Sequence, residues 1–188
     1  MLRGKRVVLR PVEEADIPHI HRWMNHPEVW RNMDYERPFS LEDVQRSRAE
    51  GVPFTIEAEG TPIGRIGLNG FRRRDRIAGL YLYIGDPAYW GHGYAHEALV
   101  TLLSYAFDRF DLWQVELWTL ADNEKAIRVY VRCGFVAEGT LRDRSWKEGR
   151  WVDRLVMSVN RDEFEAVRGD GAKRDPGRAP GPCGRPPP

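Results

Sequence analysis

The amino-acid sequence predicts a mixed α/β fold built on one sheet. The first observation is a β-hairpin pattern over residues 54–69, since hairpins pair their strands antiparallel. The second is an alternation of strand and helix patterns in the second half of the chain, which favours a partly parallel sheet. The third is composition, because a chain that is 41% hydrophobic and 30% charged has enough apolar residues for a core.

The first predicted elements precede the hairpin. Residues 6–10 (RVVLR) are rich in strand-forming residues and stop at a proline, which is typical of a short strand. Residues 15–24 place apolar side chains at helical spacing and predict a helix. Ser40 followed by Asp43 is an N-capping pattern, which predicts a further helix to about Glu50.

The hairpin is followed by a further strand over residues 78–84. In the hairpin, residues 54–59 alternate between apolar and polar, and a Gly-Thr turn leads into residues 62–69. The side chains of the next strand alternate between two faces, with Leu80, Leu82 and Ile84 on one and Tyr81 and Tyr83 on the other.

The second half contains the clearest helix pattern of the sequence. Its apolar stripe at helical spacing comprises Ala95, Ala98, Leu99, Leu102, Leu103, Ala106 and Phe110. Residues 113–120 are rich in strand-forming residues, and residues 126–131 form a second helical stripe that Gly134 closes. Two strands around a Glu-Gly turn at 148–149 and a short helix at 162–167 complete the prediction.

The chain is expected to hold one domain and a tail. Residues 1–168 suit a single domain in length and composition. Residues 169–188 consist mainly of glycine, proline and arginine without apolar periodicity, which predicts a disordered tail.

Charge and hydropathy exclude several classes of partner. A net charge of +1 does not favour a nucleic-acid partner. No apolar run approaches the roughly 20 residues of a membrane span, and the apolar run near the N-terminus is too short for a signal peptide. We therefore expect a cytoplasmic protein without a membrane partner.

The cysteines and histidines predict neither disulfides nor a metal site. Cys133 and Cys183 are the only cysteines, and Cys183 falls in the predicted tail. The histidines at 19, 21, 26 and 96 have no spacing with acidic residues or cysteine that would specify a metal. Cys133, at the end of a predicted helix, is expected to be structural.

The segment Trp90-Gly91-His92-Gly93-Tyr94-Ala95 lies between a predicted strand and the best helix. Two glycines and a helix N-terminus suit a phosphate or pyrophosphate, although the same glycines could simply make a tight turn. A nucleotide-triphosphate loop would need Gly-Lys-Ser/Thr, which does not occur. A dinucleotide fingerprint would need a small residue where His96 stands.

Two ordered motifs resemble those of the GNAT acetyltransferases. The run from Tyr83 to Leu99, YIGDPAYWGHGYAHEAL, is similar to the family's motif A, with Trp90 in the usual Arg or Gln place, as in the RimJ/RimL-like branch. The run from Asn123 to Phe135 is similar to motif B, with Asn, Ala, Tyr and Gly-Phe at the family's spacing. The resemblance covers residues 1 to about 159 and implies a curved, mostly antiparallel sheet with helices on both faces.

The resemblance implies acetyl-CoA as co-substrate, without a metal, and assigns roles to particular residues. The backbone of Leu82, Tyr83 and Ile84 would pair with the pantetheine, and Trp90, Gly91, His92, Gly93, Tyr94 and Ala95 would hold the pyrophosphate. Asn123 would contact the cofactor and cap its helix. Tyr130 is the candidate general acid for the departing thiolate, with core packing as the other interpretation.

The general base is the point where this sequence departs from the family. Relatives place a glutamate at the positions of Gly79 or Trp118, and neither position is acidic here. Glu116, Asp86 and Glu97 are the speculative replacements, and an ordered water chain is another.

The acceptor predicted from the resemblance is a primary amine. An α-amine of a peptide N-terminus or an amino acid is slightly favoured, since it is less basic than a lysine-like amine and needs less help from a base. A polyamine or aminoglycoside acceptor, and an acyl-CoA-binding module without turnover, stay open. Trp23, Trp30, Trp146 and Trp151 fall in segments that wall the acceptor pocket in relatives.

A monomer or homodimer is expected. The arginine-rich run 72–76 is expected to be a solvated turn, with contact to an anionic partner or the cofactor's 3′-phosphate as the alternative.

Overall fold

The fold is an eight-stranded mixed sheet with helices on both faces, as predicted. The computed structural model describes residues 1–48 and 50–169. The strands lie in the order β1-β2-β3-β4-β5-β6-β8-β7. All neighbours pair antiparallel except β5 and β6, which are parallel.

The described elements follow the predicted order. The strands are β1 Leu2–Arg3, β2 Val7–Pro11, β3 Val52–Ala58, β4 Thr61–Arg72, β5 Ile77–Ile84, β6 Gln114–Leu120, β7 Val136–Lys147 and β8 Arg150–Asn160. The α-helices are α1 Ile17–Met24, α2 Pro27–Asn32, α3 Leu41–Ser47, α4 Tyr94–Arg109, α5 Glu124–Arg132 and α6 Arg161–Gly169. Short 3₁₀ helices lie at Glu14–Asp16 and Pro87–Tyr89.

The two faces of the sheet have separate cores. On one face, α4 packs its buried stripe against residues such as Ile66 and Leu80, and Phe164 of α6 joins the same core. On the other face, α1, α2 and α3 enclose a smaller core that contains Trp23 and Tyr83. The predicted alternation along β5 therefore matches the structure, with leucines toward α4 and Tyr83 toward α1.

Three details differ from the sequence predictions. The helix predicted to reach Glu50 ends at Ser47, because Gly51 must turn with φ +70° where a Cβ would lie 2.0 Å from the Leu68 carbonyl oxygen. Phe110 was predicted to be in the buried stripe of α4, but it caps that helix 37% exposed while Phe107 is buried instead. The elements β1 and α2 are too short for a periodic pattern and were not predicted.

The predicted tail lies almost wholly outside the described residues. Gly169, which was assigned to it, is the last residue of α6. No helix among the described residues is long and apolar enough to cross a membrane.

A partly buried ion pair fixes α1 against the sheet. Both guanidinium nitrogens of the Arg10 fork donate to Asp16 at 2.8 Å, and Arg10 Nε donates to Glu57 at 2.7 Å. Asp16 also accepts from Thr55 Oγ1 at 2.8 Å and from the backbone of Glu13 at 2.9 Å. Although burial opposes it, the pKa of Asp16 is lowered by these donors, so the carboxylate is charged and fully engaged.

Candidate active site

The parallel strands β5 and β6 separate partway along their length. They pair only from Ile77 to Gly79 on β5, opposite residues 114–116 of β6. Beyond that point, β6 continues to pair with β8, and β5 with β4. Residues 80–84 of β5 therefore present a backbone edge without a strand partner, which can accept an extended ligand.

A cavity of about 800 Å³ occupies the gap between the diverging strands. It is lined by the β5 residues Leu80, Tyr81, Leu82, Tyr83 and Ile84, and by Leu117 to Leu120 of β6. Trp90, Ala95, Asn123 and Tyr130 line it as well. The structure thus brings most of the predicted cofactor-binding residues and the predicted catalytic residue to one cavity.

The predicted phosphate loop lies between the end of β5 and the start of α4. Gly91 and Gly93 have φ +80° and +83°, conformations that favour glycine, and Gly93 is the N-cap of α4. No described atom lies within 4 Å of the position of a Cβ on Gly91, so the loop is open at that point. Trp90 anchors the loop to β5 by donating from Nε1 to the Ile84 carbonyl at 2.8 Å. His92 is exposed.

Two positively charged side chains lie beside this loop, and the sequence analysis did not place either of them there. The Arg6 guanidinium lies 4.9 Å from the centre of the Tyr94 ring. Lys125 Nζ lies 6.0 Å from the centre of the Trp90 ring. Positive side chains at a helix N-terminus favour a phosphate ligand, so the charge pattern fits the predicted use of the loop.

Tyr130 packs against the core and reaches the cavity. Its ring lies 5.7 Å from that of Phe135, and its hydroxyl forms no hydrogen bond to another described residue. Burial raises the pKa of Tyr130 to about 12, so the hydroxyl is protonated at neutral pH. A buried donor that faces a cavity without a partner is available to a ligand.

Asn123 and Cys133 hold the structural positions expected for them. The side chain of Asn123 accepts from the Ala126 backbone at 3.3 Å and caps α5, while also lining the cavity. Cys133 is fully buried, and burial raises the pKa of its thiol to about 12. The thiol is therefore protonated and shielded, which excludes it as a nucleophile.

The three speculative bases are all engaged elsewhere. Glu116 accepts from Arg72 at 2.7 Å, and Asp86 accepts from the Ala88 backbone at 3.0 Å. Glu97 accepts from the backbone of Val7 at 3.0 Å and from the Arg6 side chain at 3.2 Å. These donors lower the pKa of Glu97, although burial opposes them.

The positions where relatives place a glutamate are occupied by a glycine and a tryptophan. A Cβ on Gly79 would lie 2.6 Å from Asn69 Oδ1, so a side chain there would have to displace the Asn69 amide. Trp118 lies 4.1 Å beneath the Arg154 guanidinium, a cation–π contact at the cavity wall. Neither position contributes a carboxylate.

The aromatic residues predicted to wall the acceptor pocket do not line this cavity. Trp146 and Trp151 pack edge to face with ring centres 5.1 Å apart and are more than half exposed. Trp23 is buried against the backbone of Gly85, and Trp30 packs on Tyr35. The position of a tryptophan in the sequence shows whether it lies on a helix or in a hairpin. It does not show whether the side chain faces a pocket.

Other lining residues were missed by the sequence analysis. They are Tyr35, Tyr81 and Arg65 on the side of the cavity toward α1 and α3. The usable signal was Arg65 itself, a charged residue inside the predicted strand 62–69, between Gly64 and Gly67. Arg72 and Arg76 of the predicted turn are tied to Glu116 and Asp111 by ion pairs.

The comparison with known families decides the class of protein. Residues 6–136 match the family described as acetyltransferase (GNAT) domain. The chain belongs to the GNAT family of acetyltransferases. It is an N-acetyltransferase whose donor is acetyl-CoA, and the predicted fold class is confirmed.

Individual relatives share the whole domain at low identity. Spermidine N(1)-acetyltransferase of Escherichia coli (strain K12) is 28% identical over 166 residues, which cover 85% of this chain and 89% of the relative. The enzyme of that name from Vibrio cholerae is 28% identical over 168 residues, which cover 86% and 96%. A crystal structure of spermidine N-acetyltransferase from Vibrio cholerae with CoA and spermine superposes with a TM-score of 0.79 at 24% identity, covering 86% of this chain and 99% of that one. Membership of the RimJ/RimL-like branch stays a prediction.

Proposed function

We propose that this GNAT enzyme transfers the acetyl group directly from acetyl-CoA to a primary amine in the cavity between β5 and β6. The observation that carries the proposal is the unpaired β5 edge, which shares one cavity with the Tyr130 hydroxyl and ends at the open glycine loop. The edge would hold the pantetheine amides, and the loop would hold the pyrophosphate. A cavity of about 800 Å³ has room for both the acyl arm and a small acceptor.

In the proposed reaction, the neutral amine attacks the thioester carbonyl and the carbon–sulfur bond breaks. A backbone N–H of the β5 edge would stabilise the carbonyl oxygen as it gains charge. Tyr130 would donate a hydrogen bond to the departing sulfur, which receives a proton. A thiol has a pKa of about 8.5. After Tyr130 has given up its proton, its oxygen takes up another, because the pKa of Tyr130 is about 12. That proton comes from the ammonium group that forms when the amine attacks.

No side chain is assigned as general base. The predicted carboxylates are held in ion pairs or caps, and Asp34 at the cavity wall is paired with Arg154. We propose that water removes the proton from the incoming ammonium. Such a route favours amines of low basicity, since a larger fraction of them is neutral at pH 7.

The acceptor is the finer part of the proposal. The relatives are named for spermidine, which supports a polyamine acceptor better than the α-amine favoured from the sequence. The charges of this cavity support a different class of acceptor. Either acceptor is a primary amine, so the proposed chemistry is the same.

Acetyl-CoA is expected to stabilise the folded protein. A ligand that binds only the native state at 100 times its dissociation constant adds about 2.7 kcal/mol. For a chain of this size, that gain corresponds to a rise in Tm of about 5–10 °C. Thermal unfolding with and without acetyl-CoA measures it, with adenine as a control for non-specific effects. A Tm indifferent to saturating acetyl-CoA would contradict the proposed donor site.

Amine-dependent CoA release tests the transfer itself. Free thiol is measured with acetyl-CoA alone and then with spermidine, N-terminal peptides, α-amino acids and an aminoglycoside. We expect at least one amine to raise thiol release well above the hydrolysis rate. Mass spectrometry should find that amine heavier by the mass of an acetyl group less that of the hydrogen it replaces. Acetyl-CoA binding without any amine-dependent release would favour the module without turnover.

A further inference from the structure

Two arginines, Arg10 partly buried and Arg65 buried, lie in one cross-sheet row beneath α1 and α3, in different surroundings. Arg10 pairs with Thr55 of β3, and Thr55 pairs with Arg65 of β4. Arg10 is neutralised by Asp16 and Glu57. Arg65 is 3% exposed and, unlike Arg10, forms no ion pair with a described carboxylate.

The contacts of Arg65 are weak for a guanidinium. Its terminal nitrogens lie 3.3 Å and 3.4 Å from the side chain and carbonyl oxygens of Ser47, and 3.5 Å from the Tyr81 hydroxyl. Ordinary N–H···O distances are about 2.9 Å. Arg65 Nε is buried without a hydrogen-bond partner in the described part of the chain. A guanidinium stays charged in proteins, and a buried charge without a counter-charge is costly.

The groups around Arg65 are neutral hydroxyls and a backbone carbonyl. The Tyr83 hydroxyl is buried without a hydrogen-bond partner among the described residues. Burial raises the pKa of Tyr35 to about 12 and also raises those of Tyr81 and Tyr83, so all three hydroxyls are protonated. Arg65 and these tyrosines all line the cavity. Among the described residues, no carboxylate accepts a hydrogen bond from Arg65.

We propose that Arg65 binds the carboxylate of the acceptor, which makes the acceptor an amine that carries a carboxylate, as α-amino acids do. The inference rests on the proposed acetyl transfer and names the substrate class of the same cavity. A carboxylate supplies one negative charge and two oxygens, which match the single guanidinium and its planar fork. The site lies close to the transfer edge, because Arg65 is directly opposite Tyr83 on the neighbouring strand.

A polycation fits these charges poorly. Of the three carboxylates that line the cavity, Asp34 is paired with Arg154 and Glu116 with Arg72. Glu50 is exposed and is the one that forms no ion pair among the described residues. A bound polyamine would place several positive charges beside Arg65, and only one carboxylate of the described lining would be free to pair with them. Like-charge repulsion would therefore oppose the binding of a polyamine.

The test compares each acceptor with its own amide. Acetyl-CoA-dependent thiol release is measured for the common L-amino acids and for the same amino acids as C-terminal amides, with spermidine as a further acceptor. Amidation removes the carboxylate and makes the α-amine less basic, so chemistry alone would favour the amide. We expect the preferred amino acid to exceed its amide by about 10- to 100-fold in kcat/KM, the effect of a charge-assisted pair.

Two variants assign the preference to Arg65. Arg65→Met keeps the length of the side chain without its charge and should bring the acid-to-amide ratio close to one. Such a replacement of a buried charge is compatible with folding, and the acetyl-CoA-induced rise in Tm verifies it. Arg144→Met removes an exposed cation from the wall of the same cavity and should leave the ratio within about twofold, since exposed charges interact weakly.

A binding measurement separates this inference from the proposed transfer. The N-acetyl derivative of each amino acid, and that of its amide, is titrated into the CoA-bound protein by calorimetry. Tighter binding of the acid in the wild type but not in Arg65→Met supports the subsite even if no amine is turned over, an outcome that would refute the transfer alone. Equal turnover and binding of acids and amides, a preference for spermidine, or an unchanged ratio in Arg65→Met would overturn the inference and leave acetyl transfer intact.

Discussion

Gly93→Val is expected to abolish acetyl-CoA binding while the protein still folds. Gly93 has φ +83° at the N-cap of α4, a conformation that a β-branched residue adopts only with strain of about 1–3 kcal/mol. Relief of that strain would move the loop and re-aim the backbone N–H groups at the start of the helix. The new Cβ would also lie 3.3 Å from an Arg6 guanidinium nitrogen, beside the proposed phosphate site. Kd for acetyl-CoA should rise by more than about 100-fold.

A glycine in a comparable conformation elsewhere serves as control. Gly60 has φ +76° in the turn between β3 and β4, with no described atom within 4 Å of a Cβ placed on it. Gly60→Val imposes a similar backbone strain far from the loop, so it should lower Tm without changing the acetyl-CoA affinity. Calorimetry on both variants separates the two effects. Normal acetyl-CoA binding by Gly93→Val would contradict the proposal that this loop holds the pyrophosphate.

The fold was predictable because its elements have strong local patterns. The stripe of α4 and the alternation of β5 each repeat over several turns or residues, so periodicity alone indicated their faces. The glycine loop was predictable for another reason, since its φ values leave few residues other than glycine. Short elements such as β1 and α2 have no repeat that could be read.

The site was predictable only where it follows the chain. Residues 90–95 are consecutive, so their position at a helix start was visible in the sequence. The divergence of β5 and β6 depends on which strands pair across the sheet. The argument against Glu116 as general base depends on its ion pair with Arg72, which is distant in the sequence. The isolation of Arg65 is likewise a tertiary property, because it depends on the neutral side chains that the fold places around it.

Tyr130→Phe is expected to lower kcat by about 10², with little change in KM for acetyl-CoA, if Tyr130 is the proton donor to the departing sulfur. Phenylalanine keeps the ring contact with Phe135, and the lost hydroxyl has no hydrogen bond to a described residue. Stability should therefore be almost unchanged. Tyr105→Phe is the matched control: Tyr105 packs against Phe54 and Phe110 and does not line the cavity, so its loss of a hydroxyl should leave kcat unaltered.

The pH profile tests whether the Tyr130 hydroxyl stays protonated throughout the assay range. A group with a pKa raised to about 12 is protonated at every pH below that value, so the Tyr130 donor should persist as the pH rises from 7 to 10. The wild-type rate should rise in that range as the amine loses its proton, and the slower Tyr130→Phe rate should rise in parallel. An alkaline decline below pH 10 that vanishes in Tyr130→Phe would show that the hydroxyl ionises more easily than its burial implies. Full turnover by Tyr130→Phe would return this residue to the core-packing interpretation and leave the sulfur to be protonated by water.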